Sequence, residues 1–370
     1  MAGMKPRLDP SIFNLPVEKM RAGYYSDTYF NRSREILERD GHYPIVRMQV
    51  FQRSDAVLCG IDEALAILKL CSGRARADGS WEDGWSALRV CALPDGTHVT
   101  PYETVLQIEG DYVLFAHLET CYLGVLSRRT RIATNARHIV AAAAGKTVLF
   151  FPARFDHHLV QTGDGYAAYI SGALGVSTDA NAEWWGARGV GTVPHALIAA
   201  YGGDTVLATQ KVAQYAEPQA QIIALVDFEN DCVGTSLAVA RALGKRLWGV
   251  RLDTSRTLVD KSIWSQMGTF NPTGVCPELV WNVRNALDGE GFGHVRIVAS
   301  GGFNPRRIAA FEHAGVPVDA YAVGSAFFDG AGSFDFTADI AALQENGQWR
   351  PCHKVGRPER PNPRLGPVED

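Results

Sequence analysis

Six short apolar runs after Gly145 constrain the fold of this chain more than any other feature. They are TVLFFP (147–152), ISGALGV (170–176), IIALVD (222–227), LWGVRLD (247–253), VRIVASGG (295–302) and AYAVGSAFF (320–328). Continuously apolar runs of this length are typical of strands buried on both faces of a parallel sheet. Helical patterns lie between them, and several strand ends are about 25 residues apart, the length of one β–α unit. The pattern predicts a parallel α/β architecture.

The first third of the chain has a different pattern. Residues 45–59, IVRMQVFQRSDAVLC, alternate and are rich in β-branched side chains, which predicts strands. Residues 61–71 carry the spacing of an amphipathic helix, and a long helical stretch follows from Phe115 to about Ala144. We therefore expect a mixed α+β region before the parallel sheet.

Charge and composition exclude several functions. The chain has 36 basic and 40 acidic residues, so no general basic field exists to coat a nucleic acid. No run of 18 apolar residues occurs, which predicts that the chain does not span a membrane. The start of the chain lacks the apolar core of a secretory signal. Seven cysteines without a CxxC pair favour a reducing compartment, and we expect a cytoplasmic protein.

Polar residues stand where the apolar runs end. The carboxyl ends of parallel strands meet on one face of a β/α barrel, or in one crevice of a doubly wound sheet. Either arrangement predicts a shared site, and its composition suits an anionic substrate that carries phosphate groups. The candidate residues are Arg154, Ser177, His195, Asp227, Arg251, Asp253, Ser300, Gly301, Gly302, Gly324 and Ser325.

Two glycine turns are the candidate phosphate site. Gly301 and Gly302 follow one apolar run, and Gly324 with Ser325 follows the next. Residues without a Cβ allow close approach to backbone N–H groups, and the helix that follows directs its N-terminus at the same place. Phosphate sites of β/α barrels are commonly built from the loops after the last strands. The alternative is two ordinary βα turns.

Arg251 and Asp253 are two residues apart at the end of a strand, so their side chains lie on the same side. The arginine suits an anion, and the aspartate suits ribose hydroxyls or a divalent ion. A structural ion pair is the alternative. Phe151 could stack on an aromatic ring, and Arg154 could bind a carboxylate. His195, taken alone, is more often structural.

In this order, these residues resemble the nicotinate phosphoribosyltransferase family, related to the nicotinamide and quinolinate phosphoribosyltransferases. The resemblance covers about residues 17–330. It is carried by YYSDTYF, MQVFQR, ETVLQIEG, LETCYLGVLSRRTRIATNA, GTVPHALI with GGDT, GVRLDTS, VASGGF and AVGSAFF.

The resemblance implies an α/β fold with an irregular β/α barrel of residues 120–343. An α/β sandwich domain would combine residues 1–119 with the tail, 344–370. The implied reaction joins 5-phosphoribosyl-1-diphosphate (PRPP) to nicotinic acid and gives nicotinate mononucleotide and diphosphate. The family needs Mg²⁺, and many members couple the reaction to ATP through a phosphorylated histidine. A homodimer or higher oligomer with shared active sites is also implied.

The resemblance also assigns roles to residues. Phe151 would stack on the pyridine ring, and Tyr29 of a partner subunit would cover the other face. Arg154 would lie near the base and the diphosphate. The remaining assignments are Arg251 and Asp253 for the phosphoribosyl group with Mg²⁺ near Asp253, Gly301, Gly302, Gly324 and Ser325 for the 5′-phosphate, His195 as the phosphorylated histidine, and Asp227 on the intervening strand.

Ser177 bears on the choice of base. Relatives that prefer nicotinamide carry an aspartate near this position, and an aspartate would repel a carboxylate. The serine therefore favours nicotinate. Quinolinate remains an alternative, with its second carboxylate bound by Arg128, Arg129, Arg131 or Arg137. A non-catalytic PRPP-binding paralogue is another. A Schiff-base aldolase is disfavoured, because no lysine stands at a strand end.

Overall fold

The computed structural model describes residues 7–329 and 334–369, and the chain divides into two compact units. The first unit is Met1–Thr134 with Gly330–Asp370, and the second is Asn135–Asp329. Residues 1–6, 330–333 and 370, which fall within the expected domains, lie outside the described residues.

The helices and strands are numbered in chain order. Up to residue 142 they are α1 (Val17–Arg21), α2 (Thr28–Asp40), β1 (Ile45–Phe51), β2 (Ala56–Val57), α3 (Ile61–Cys71), β3 (Gly73–Ala75), β4 (Trp81–Asp83), β5 (Arg89–Ala92), β6 (His98–Val99), β7 (Leu106–Asp111) and α4 (Glu119–Ala142). Those that follow are β8 (Thr147–Phe150), α5 (Gln161–Ile170), β9 (Gly175–Val176), α6 (Asp179–Ala182), α7 (His195–Ala200), α8 (Thr205–Tyr215), β10 (Ile222–Leu225), α9 (Cys232–Leu243), β11 (Leu247–Leu252), α10 (Pro277–Gly289), β12 (Arg296–Ala299), α11 (Pro305–His313), β13 (Ala320–Val323), β14 (Thr337–Glu345), β15 (Gln348–Pro351) and β16 (Gly366–Pro367).

The first unit contains an antiparallel sheet in the order β15-β14-β1-β7-β5-β16. Strand β14 pairs with β1 from Phe51 opposite Thr337 to Val46 opposite Leu343. Because of this pairing, residues 337–343 already belong to the first unit, before the expected boundary at residue 344. The first unit also includes α4 up to Thr134. The Thr134 hydroxyl accepts a hydrogen bond from the Val57 N–H in β2, and the Thr130 hydroxyl accepts one from the Cys59 N–H just before α3. The unit boundaries therefore differ from those expected at 119/120 and 343/344.

Helix α3 lies in the core of the first unit, and its bounds are those expected from the sequence. Its apolar side chains pack with the sheet and with Phe115 and Tyr122. The helix also buries two carboxylates near its N-terminus. Asp62 lies 2.9 Å from Arg7, and Glu63 lies 2.9 Å from Arg129. These contacts offset the cost of removing the acids from water.

The second unit contains a parallel sheet in the order β10-β11-β12-β13-β8-β9, curled as a half-barrel. This architecture confirms the predicted α/β class. One strand prediction is wrong, because the run 170–176 contributes only Gly175–Val176. Helix α5 extends to Ile170, and Gly172 then turns the chain with a φ of 106°. Apolar content alone does not distinguish a helix end from a strand.

Asp95 is the basis of a pH prediction for the first unit. One of its oxygens accepts a hydrogen bond from the Ile61 N–H at 2.8 Å, and the other is buried without a partner. Burial, with a smaller contribution from the Asp62 carboxylate, raises the pKa of Asp95 to about 8. The folded state therefore holds a proton that the unfolded state releases near pH 4. Stability should fall as pH rises from about 4 to 8.

We expect Asp95→Asn to remove this dependence, because the amide cannot lose a proton and still accepts from Ile61. Urea unfolding at several pH values should show a flatter profile, by up to about 1.4 kcal/mol per pH unit within that window. Asp40→Asn, at the exposed end of α2, is the matched control and should keep the wild-type slope. An unchanged slope in Asp95→Asn would contradict the assignment.

Candidate active site

A cavity of about 780 Å³ lies in the second unit at the carboxyl ends of the parallel strands. Its size falls in the range of small-molecule sites. The parallel sheet explains the convergence, because every strand delivers its following loop to the same edge. The sequence-predicted residues that line it are Phe151, Arg154, Ser177, His195, Arg251, Asp253, Ser300, Gly301, Gly302, Gly324 and Ser325.

A network of hydrogen bonds fixes Arg251 at the wall of this cavity. Its Nη2 donates to Asp253 Oδ2 at 2.8 Å, and its Nε donates to Ser300 Oγ at 2.9 Å. The Ser300 hydroxyl lies 2.7 Å from Asp253 Oδ1. The third guanidinium nitrogen, Nη1, donates to Thr192 Oγ1 at 3.0 Å. The arginine and the aspartate are therefore held rigidly, while both side chains remain partly exposed to the cavity.

His195 and Asp227 form a second pair. The His195 Nε2 lies 3.1 Å from each carboxylate oxygen of Asp227. Burial raises the pKa of Asp227, and the neighbouring imidazole opposes that shift. The other ring nitrogen of His195, Nδ1, has no hydrogen-bond partner among the described residues. The carboxylate thus orients an imidazole whose second nitrogen is available for chemistry.

The two glycine turns are conformationally demanding. Gly301 and Gly302 have φ values of 85° and 76°, in the left-handed region that favours glycine. A Cβ on Gly302 would lie 2.1 Å from Arg256 Nη2. A Cβ on Gly324 would lie 2.9 Å from the Phe155 ring. A side chain at Gly302 or Gly324 would require Arg256 or Phe155 to move.

Three further residues give the cavity its aromatic and polar character. The Phe151 ring follows β8, and the Arg251 guanidinium lies 5.8 Å from its centre. Ser177 follows β9, and its buried Oγ has no hydrogen-bond partner. Arg154 is exposed, 5.7 Å from the ring of Phe155. The cavity thus presents an aromatic face and exposed positive charge, and the Ser177 hydroxyl is buried in its wall.

Tyr29 is the one predicted site residue in the first unit. It lies near the start of α2, is 60% exposed, and donates a hydrogen bond to Asp27 at 3.4 Å. Its contact with a base in a partner subunit stays a prediction.

Thr192, Phe155 and Arg256 line the cavity and were not predicted. Thr192 lies in the same glycine-rich run as His195, and Arg256 follows Asp253 by three residues. Their place in these motifs is the only sequence signal they carry. Hydroxyl and guanidinium groups in loops are too common to be selected without the fold.

Carboxylates near the cavity suit a divalent ion that a ligand carries. Among residues 7–329 and 334–369, no group of three or more His, Cys, Asp or Glu side chains could hold a metal. Mg²⁺ characteristically keeps several waters and is bound by one or two carboxylates plus substrate phosphates. The Asp253 carboxylate at the cavity wall fits that mode.

Among residues 7–329 and 334–369, no helix is both long enough and apolar enough to cross a membrane.

Known proteins are similar to this chain in sequence or in fold. Residues 27–130 match the family model described as the N-terminal domain of quinolinate phosphoribosyl transferase. The crystal structure of nicotinate-nucleotide pyrophosphorylase from Pyrococcus furiosus is 34% identical with a TM-score of 0.77, covering 96% of this chain and 85% of that one. Human nicotinic acid phosphoribosyltransferase shares the fold, with a TM-score of 0.64 at 18% identity over 91% of this chain and 77% of its own.

A curated relative, nicotinate phosphoribosyltransferase pncB1 of Mycobacterium tuberculosis, is 31% identical over 245 residues. The match covers 65% of this chain and 50% of the relative, so it spans about half the length of that protein. The likeness to the Pyrococcus protein, which extends over most of both chains, shows that this chain belongs to the family of that nicotinate-nucleotide pyrophosphorylase.

We expect Ser300→Ala to weaken the network around Arg251. The change leaves the Arg251 Nε and the Asp253 Oδ1 without their shared partner and should cost about 1–2 kcal/mol in the free energy of unfolding. Urea unfolding measures this loss. Ser236→Ala is the matched control, since that buried hydroxyl has no partner and its removal should cost less. Equal losses in the two variants would contradict the bridging role of Ser300.

Proposed function

We propose that this chain transfers the phosphoribosyl group of PRPP to nicotinate, giving nicotinate mononucleotide and diphosphate in NAD salvage. The observation that carries the proposal is the Arg251–Ser300–Asp253 network, which stands beside the glycine turns in one cavity. A fixed arginine–aspartate pair and exposed backbone suit a phosphorylated sugar. The similarity to curated nicotinate phosphoribosyltransferases supports the same reaction.

The reaction needs alignment more than acid–base chemistry. The bond between C1 and the diphosphate oxygen breaks as the pyridine nitrogen forms a bond to C1, and diphosphate leaves with the bonding electrons. The pyridine nitrogen is already a nucleophile at neutral pH. The transition state has oxocarbenium character, as at other glycosyl centres. The protein therefore contributes by holding both reactants in line and by stabilising negative charge on the leaving group.

Each wall of the cavity has a role in this proposal. Asp253 accepts hydrogen bonds from the ribose hydroxyls, and Arg251 binds phosphoribosyl oxygens. The turns at Gly301–Gly302 and Gly324–Ser325 hold the 5′-phosphate through backbone N–H groups. Mg²⁺ would neutralise the diphosphate, and Asp253 would hold it.

The base occupies the aromatic end of the cavity. Phe151 stacks on the pyridine ring, and Tyr29 of a partner subunit covers its other face in a homodimer or higher oligomer. Arg154 binds the carboxylate, and Ser177 adds no negative charge beside it, whereas an aspartate would repel it. The Arg129 guanidinium is committed to Glu63 at 2.9 Å, which weighs against its use for a second carboxylate of quinolinate.

His195 is the residue through which ATP would act. The reaction would take place in the cytoplasm. Asp227 orients its imidazole through Nε2, which leaves Nδ1 without a partner among the described residues. Transfer of the terminal phosphoryl group of ATP to an imidazole nitrogen breaks the P–O bond to ADP and forms a P–N bond. Water would later hydrolyse that bond and release phosphate.

We expect Asp253→Ala to lose turnover by about a thousandfold while the protein stays folded, because the change removes an interaction with the reacting sugar. The measurement is nicotinate mononucleotide formed from PRPP and nicotinate with Mg²⁺, alongside a circular dichroism spectrum. Asp288→Ala, at the distant end of α10, is the control. Turnover near the wild-type rate in Asp253→Ala would remove this carboxylate from the site.

We expect His195→Ala to lose stimulation by ATP and to keep part of the basal rate, since the histidine does not contact the bond that breaks. Rates with and without ATP measure the effect. His313→Ala, an exposed histidine at the end of α11, should respond to ATP like the wild type. If the wild type is stimulated and His195→Ala retains the full response, the phosphohistidine role is wrong.

A further inference from the structure

A second cavity of about 400 Å³ adjoins the candidate active site. Arg256 and Gly302 line both cavities, so the two spaces meet at the first glycine turn. The second cavity lies wholly within the second unit. Its lining residues are Arg256, Asn271, Thr273, Val275, Cys276, Pro277, Gly302, Asn304, Arg307 and Phe311.

Two guanidinium groups enter this cavity from different elements. Arg256 Nη2 donates to the carbonyl of Gly302 at 2.6 Å, and Arg307 Nη1 donates to the carbonyl of Gly301 at 2.8 Å. Adjacent carbonyls therefore anchor both groups at the same cavity. The missing Cβ of Gly302 is required for this approach, because a methyl group there would overlap the Arg256 guanidinium.

The two arginines have no acid to balance them. Within the described residues neither forms an ion pair, and no acidic side chain lines the cavity. Arg307 is further fixed by a bond to the Val275 carbonyl at 2.7 Å and by its position 4.3 Å from the centre of the Phe303 ring. Burial and the charge of Arg256 both lower the pKa of Arg307. Two like charges held together in this way favour a bound anion.

Helix dipoles add to the positive potential. The helices α10 and α11 begin at the cavity, with Cys276 and Asn304 as their N-cap residues. Each N-terminus carries a partial positive charge that favours an anion nearby. The helices strengthen a site that the arginines define.

We propose that Arg256 and Arg307 form an anion subsite that binds a phosphate group, next to the glycine turns and separate from them. Guanidinium groups match phosphate because each can donate two parallel hydrogen bonds. Most N–H donors of Arg256 have no acceptor among the described residues and are available for this purpose. The phosphate comes either from solution or from a phosphorylated substrate, and its supply by PRPP rests on the proposed function.

Titration calorimetry of the full chain with inorganic phosphate tests the subsite. We expect Arg256→Gln to weaken one phosphate-binding event by at least about tenfold, because charge-assisted hydrogen bonds are lost. Arg256 is exposed, so this variant should fold. Arg306→Gln, an exposed arginine beside Arg307 on α11, removes the same charge and should stay within about twofold of the wild type.

Arg307→Gln provides a second, independent arm, with its thermal midpoint recorded to confirm folding. If the subsite exists, both variants lose the same phosphate-binding event. Each then binds one phosphate fewer than the wild type, and this difference does not depend on whether the glycine turns also bind inorganic phosphate. Wild-type stoichiometry and affinity in Arg256→Gln would overturn it, as would an equal loss in Arg306→Gln.

Titration in saturating PRPP identifies the source. If a phosphate group of PRPP occupies the subsite, saturating PRPP abolishes the binding of inorganic phosphate there, and Arg256→Gln weakens the binding of PRPP. If phosphate comes from solution, the event persists beside bound PRPP. Both results support the subsite. Failure of phosphoribosyl transfer, measured separately, would reject the proposed function and leave the titration with inorganic phosphate unaffected.

Discussion

The contact between Arg251 and Asp253 is the interaction on which the rest of the site depends. Both side chains leave β11 on the same side, and the 2.8 Å bond between them is reinforced from β12 by Ser300. The parallel register, which places Arg251 beside Val298, brings the two strand ends together. A charged pair bound in this way keeps its geometry without a ligand, so that little reorganisation is needed for the proposed binding of a phosphorylated sugar.

The site is rich in groups that bind anions and poor in pairs that exchange protons. This balance suits a reaction in which the incoming nitrogen needs no activation and the leaving group is highly charged. The same chemistry continues beyond the glycine turn, where Arg256 and Arg307 lie without acids. In the first unit the buried charges are acidic instead. Glu63 is paired with Arg129, and the raised pKa of Asp95 favours its protonated form.

Much of this arrangement could be predicted from the sequence, because the strand ends have to meet once the sheet is parallel. That inference alone predicts that Phe151, Asp253 and Gly324 lie at one site, and they line the same cavity. The sequence did not show that residues 170–174 continue a helix and its turn, since apolar content is shared by both structures. Nor could it select Thr192 or Arg256, whose roles follow from neighbours that only the fold supplies.

Diphosphate release from PRPP and Mg²⁺, compared for nicotinate, nicotinamide and quinolinate, tests the central claim most directly. The account predicts release with nicotinate and little with the other two, because Ser177 and Arg154 favour one carboxylate and Arg129 is bound to Glu63. Release with quinolinate alone would keep the fold and overturn the assignment of the base. No release with any base, while PRPP binds, would contradict the proposed transfer itself.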